Sequence, residues 1–76
     1  KQNNPFEAIA SFQRKLELRH YLTAAHDGLG WAYLKLNRLT ESRTAFKAAV
    51  KYQPLNNLSH KGLREVKQRI AIKTWA

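Results

Sequence analysis

His26 and His60 stand 34 residues apart and are the first pair to weigh as metal ligands. Ligands of one ion converge on it from neighbouring turns or loops, with carboxylates or thiolates completing the set. Here there is no Cys, and no carboxylate recurs beside both histidines, so packing explains the two positions better than ligation. Ser11, Ser42 and Ser59 are the candidate nucleophiles. They are spread along the chain without a G-x-S-x-G elbow, and only five Asp and Glu exist to orient a base. Paired carboxylates, glycine-rich phosphate loops and zinc spacings are missing too. The residues therefore point away from an enzyme and ask for no metal and no cofactor.

What the chain has in excess is positive charge, with 14 Lys and Arg against five acids and a formal charge of +9 over 76 residues. Such a field draws polyanions and acidic proteins and speeds encounter with them. The length suits one small domain, in which only about 60% of the unfolded surface is buried. Without Cys, no disulfide or thiolate site supplements the core, which must rest on helix packing. There is no Met, and Lys1-Gln2-Asn3-Asn4 lacks the layout of a signal peptide, so the chain reads as a segment of something longer. Its apolar stretches are a few residues long against the roughly 20 needed to span a bilayer, so a soluble module is expected. Nothing in it specifies a compartment.

The elements that position these residues follow from the punctuation. Asn4-Pro5 with Glu7 gives an N-cap, a first-turn Pro and a capping acid, predicting a helix from about Pro5 to Arg19. Thr23 opens a second helix to about Leu36, and Asn37-Arg38-Leu39 is a short turn. Thr40 and Glu41 begin a third helix that ends near Tyr52, before Gln53-Pro54. Asn57 caps a fourth, continuing to about Thr74. Connections this short predict antiparallel neighbours and an all-α fold of four helices.

The chain also repeats itself. A shift of 34 residues superimposes Glu7 on Glu41, Phe12 on Phe46, His26 on His60, Gly28 on Gly62 and Leu29 on Leu63. Within that period, His26, Leu29, Gly30, Tyr33, Ser42, Phe46 and Pro54 fall into the spacing W-x2-L-G-x2-Y, A-x3-F, P. In this the chain resembles the tetratricopeptide repeat, with His26 in place of the aromatic and Ser42 in place of Ala. The resemblance covers one complete repeat at 23–56. It implies a single module over 1–76, an α-solenoid fragment of antiparallel helix-turn-helix repeats. Residues 5–22 are then the second helix of a preceding repeat, and 57–76 a C-terminal capping helix whose outer face carries Arg64 and Lys67.

Leu29, Ala32, Tyr33 and Leu36 make the expected core stripe of the second helix, answered by Ala45, Phe46, Ala49 and Val50 of the third, with Gly30 at the closest crossing. Helical spacing then places Asp27, Trp31, Leu34 and Lys35 on the opposite face, with Lys61, Glu65, Gln68 and Arg69 as their equivalents one repeat later. By resemblance that face is concave and binds a peptide or protein segment, so these eight residues are the candidate ligand contacts. The function implied is a protein-interaction scaffold with a protein partner, acidic by charge. Packing against a neighbouring helix is the competing role for Trp31. No Asn is placed to complete the carboxylate clamp of chaperone-binding relatives.

The rival reading is a basic helical repeat that binds nucleic acid or another polyanion. Arg43, Lys47 and Lys51 line one side of the third helix, and Lys61, Arg64, Lys67, Arg69 and Lys73 make the fourth basic. An interfacial membrane role would use Ile70, Ile72 and Trp75 of that last helix. At the other end, Ala8 and Phe12 face the side on which their own repeat's first helix would lie. An uncovered large side chain forfeits on the order of 2 kcal/mol, so the isolated chain is expected to self-associate through its first helix. Sedimentation checks this: association should appear by high micromolar concentration, whereas a clean monomer there would mean that the face needs no cover.

Overall fold

The computed structural model describes residues 4–19 and 22–75, with side chains through residue 72. His20 and the side chains of Lys73 and Trp75 lie outside the described residues. Four helices follow one another, α1 (Pro5–Leu18), α2 (Thr23–Lys35), α3 (Leu39–Tyr52) and α4 (Asn57–Trp75), and no strand occurs among the described residues. The chain is all-α, a fragment of helical-repeat architecture. α2 is the central element, touching α1, α3 and α4, while α3 also packs on α4.

The helix ends are set by local chemistry. Asn4 caps α1, its side-chain oxygen accepting from Phe6 N–H at 2.9 Å, with Pro5 next to it, where a missing N–H costs nothing. Thr23 does begin α2, but as its first helical residue, and no side chain caps that end. α2 closes at Asn37, whose φ of 60° is left-handed. Arg38 N–H reaches back to Tyr33 O at 2.9 Å and Asn37 N–H to Leu34 O at 3.0 Å, which satisfies carbonyls the helix would leave bare. Asn tolerates this conformation better than most side chains, so the turn needs no glycine.

Two expected caps move by one residue. α3 starts at Leu39, not Thr40, because Leu39 is buried in the core and draws the first turn in with it. Thr40 instead lies inside the helix and offers its carbonyl to Thr44 Oγ1 at 3.1 Å. The cap of α4 is Asn56, not Asn57, with Oδ1 accepting from Leu58 N–H at 2.9 Å and Ser59 N–H at 3.3 Å.

The core is Leu34, Leu39, Phe46 and Val66, with Trp31, Leu63 and Ile70 packed on it. Phe46 is wholly buried and lies between two glycines, Gly30 of α2 and Gly62 of α4. A Cβ at Gly30 would fall 2.6 Å from the ring, and one at Gly62 would collide with it as well. Helices meet at this distance only where side chains are absent. One repeat earlier, Phe12 presses on Gly28 in the same way, but Phe12 is only half-buried.

That contrast fixes the sign of two matched substitutions. Alanine in a helix gains about 1 kcal/mol over glycine, whereas overpacking a rigid core costs about 1–3 kcal/mol. Gly62→Ala meets a ring pinned from both sides, which puts it at the upper end of that cost, and should lose about 2 kcal/mol net. Gly28→Ala meets a ring free to swing outward and should come out near neutral. Urea unfolding followed by circular dichroism measures both, and equal losses would show that Phe46 is no more confined than Phe12.

Candidate functional site

The eight face residues separate into three groups once the helices are assembled. Asp27 and Leu34 are not on an open face, for they are 7% and 4% exposed. This corrects the expected placement, and the cause is the position of α2. A helix with one covered side has one apolar stripe, but α2 has three neighbours and is buried nearly all round, at Thr23, Ala25, Asp27, Leu29, Gly30, Ala32 and Leu34. Of the expected stripe, Tyr33 and Leu36 are only half-buried.

Asp27 has become a structural tie between helices. Ser59 Oγ donates to its Oδ1 at 2.6 Å, and Asn56 Nδ2 donates to its Oδ2 at 3.3 Å, joining α2 to the start of α4. A second tie joins α2 to α3, where the buried Ser42 hydroxyl donates to Gly30 O at 2.7 Å. No buried side-chain polar atom among the described residues lacks a partner. Ser42 and Ser59 are thereby fully buried and occupied as donors in the interior.

Trp31 and Lys35 form the second group. Both line an open cleft of about 490 Å³ between α1 and α2, together with Glu7, Ala8, Phe12 and Gly28. Trp31 is half-buried and meets Phe46 edge-on, with ring centroids 5.2 Å apart at 79°. One part of the indole thus belongs to the core while the rest borders the cleft. Lys35 is exposed at the end of α2. The α1 side of this cleft is absent from the face expected from sequence. The equivalence of Phe12 with Phe46 and of Gly28 with Gly62 was the signal that α1 packs here.

The third group lies on α4. Lys61 and Gln68 are exposed, and Glu65 pairs with Arg69 at 3.5 Å with both side chains roughly half exposed. An i,i+4 pair in water contributes only about 0.3–0.5 kcal/mol, so it leaves both groups available. The histidines have parted company. His26 stacks on Tyr52 with centroids 5.7 Å apart at 14°, whereas His60 is exposed and its ring nitrogen meets Pro54 O. Among the described residues no cluster of three or more His, Asp and Glu is present that would hold a metal ion. No described helix is long and apolar enough to cross a membrane.

Residues 23–56 match the family model of the tetratricopeptide repeat. No curated protein and no solved structure matches the chain.

The Asp27 tie generates a prediction of stability. Asp27→Ala strands the buried Ser59 hydroxyl and should cost about 2 kcal/mol, since an unsatisfied buried donor carries a penalty of roughly 1–3 kcal/mol. Combined with Ser59→Ala in a double-mutant cycle, the two losses should fall short of additivity by about 1 kcal/mol. Strict additivity in urea melts would show that the bond contributes nothing.

Proposed function

From a chain built around a tetratricopeptide repeat at residues 23–56, a module whose general role is protein–protein interaction, we propose a scaffold that holds a segment of a partner protein in the cleft between α1 and α2. The observation that carries this reading is the company of Trp31 and Lys35 in that cleft. A flat aromatic anchored by the core and a free cation beside it offer apolar contact and charge at one place, the pairing common in interface hot spots. Lys61, Glu65, Gln68 and Arg69 extend the contact along α4, and the basic balance of the chain favours an acidic partner segment. Asp27 and Leu34 support the surface from within and touch no ligand.

In the same reading, α1 is the second helix of a preceding repeat and α4 a capping helix. The half-buried Phe12 and the 60% exposure of Phe6 favour contact between copies of the isolated chain through α1. Such repeats are typically non-catalytic, and the proposal assigns no reaction to this one.

Titrating the 76-residue chain with an acidic peptide and following amide chemical shifts tests the reading. Shifts should gather on α1 and α2 around Trp31 and Lys35. Lys35→Glu, a change at an exposed position, should weaken binding about tenfold, or about 1.4 kcal/mol. Trp31→Ala should weaken it by about 2 kcal/mol, with its fold checked separately because the indole also supports Phe46. Sequence-selective binding of single-stranded RNA at physiological salt, with no response at Lys35, would transfer the function to the nucleic-acid alternative.

A further inference from the structure

α3 and α4 pair as α1 and α2 do, since Phe46 meets Gly62 as Phe12 meets Gly28. The equivalence can be carried to their outer side. On α1 and α2, Gln13 Nε2 donates to Tyr33 OH at 3.3 Å, and Leu16, Leu29 and Tyr33 form a crevice that α3 borders with Thr40, Glu41, Thr44 and Ala45. One repeat later the same places are held by Lys47 for Gln13, Val50 for Leu16, Leu29's partner Leu63, Arg64 for Gly30 and Lys67 for Tyr33. Val50 and Leu63 are half-buried, and Lys47, Arg64 and Lys67 are exposed. The outer edge of α3 and α4 thus carries two half-buried apolar residues flanked by a rim of three exposed cations.

Neither acid of these helices is paired with a cation of that rim. Glu41 and Glu65 are the only acids of α3 and α4, and they pair with Arg38 at 3.8 Å and Arg69 at 3.5 Å. Arg64 and Lys67 lie one turn apart on α4 and repel each other, so the arrangement gains from an anionic occupant. The register also indicates what kind. Where α3 lies against α2 it brings Glu41 to the Tyr33 crevice and Phe46 to Gly30. A helix lying on α4 in that register would bring its own acid to Lys67. Where Phe46 stands it would need a second carboxylate, because Arg64 replaces Gly30. None of Lys47, Val50, Leu63, Arg64 and Lys67 is aromatic and able to stack a base, which separates this edge from single-strand nucleic-acid platforms.

We propose that the outer edge of α3 and α4 docks an acidic amphipathic helix of a partner protein, with apolar residues on Val50 and Leu63 and carboxylates on Lys47, Arg64 and Lys67. The equivalence of this edge with the edge of α1 and α2 that α3 borders sets the position of the helix, and charge complementarity sets its composition. This surface is distinct from the cleft at Trp31 and Lys35.

The probe is a synthetic helical peptide of about 18 residues, five turns, with Leu along one face and Glu on both sides of it. Calorimetry and amide shifts on the 76-residue chain should give binding at about 50 mM salt, with shifts at Val50, Leu63, Arg64 and Lys67, weakening at least tenfold by about 200 mM. Arg64→Glu with Lys67→Glu, both exposed, should cut affinity at least tenfold, and the double variant should instead bind a version of the peptide with Lys in place of Glu. Lys35→Glu should leave this binding unchanged. The proposal is overturned if the reversed pair of charges fails to exchange peptide preference, or if the shifts lie at Trp31 and Lys35. It is equally overturned if an oligo-uridine binds the same edge more tightly than the peptide, or if a second copy of the chain covers it, seen as dimerisation that Arg64→Glu abolishes.

Discussion

Everything in this small chain is arranged around the close passage of three helices about one phenylalanine ring. Phe46 is fully buried because Gly30 on one side and Gly62 on the other have no side chain to hold the backbones apart. The ring takes up the space that two Cβ atoms would have claimed, and Trp31 closes its edge. With no Cys for a disulfide and few large side chains wholly buried, a chain of 76 residues gains cohesion by shortening distances between helices. Dispersion falls steeply with separation, so close approach is worth more than added bulk.

Such an approach leaves little room for error in how the helices slide along one another, and the buried polar bonds bear on that. Ser42 holds α3 to one carbonyl of α2, and Asp27 holds Ser59 and Asn56 at the start of α4. Apolar surfaces alone tolerate a shift by a turn, whereas a buried donor that loses its acceptor does not. Asn56 serves twice, its oxygen capping α4 while its amide reaches Asp27, so the beginning of the last helix and its placement on α2 are one event.

Much of this was legible in the sequence. Helix number, turn positions and the crossing at Gly30 followed from Asn-Pro, Gln-Pro and a period of 34 residues, which are local signals with local causes. Asp27 and Leu34 were not legible in that way. Their spacing puts them opposite the core stripe, and it is α4, with its residue Val66 beside Leu34 and Ser59 on Asp27, that covers that side of α2. A single charged residue also reads as surface, because the donors that compensate it, Ser59 and Asn56, arrive from about 30 positions away, a distance that helical periodicity cannot see. The α1 wall of the cleft was encoded in the match of Phe12 and Gly28 to Phe46 and Gly62, a tertiary message that becomes readable only once one copy of the pair has been seen in three dimensions.

The two phenylalanines also give the chain a direction. α1 contains no buried residue, and Phe12 rests on a single glycine, whereas α3 carries Leu39, Ser42, Ala45, Phe46 and Ala49 in the interior. Free energies of local opening follow buried contact, so protection of the backbone amides rises from α1 toward the α2–α3 hairpin. The wall of the cleft that faces Trp31 is therefore the part of the molecule that detaches at least cost. A segment bound there would be held by a flap that spends part of its time unlatched, and its release would be timed by the breathing of α1 rather than by the strength of its own contacts.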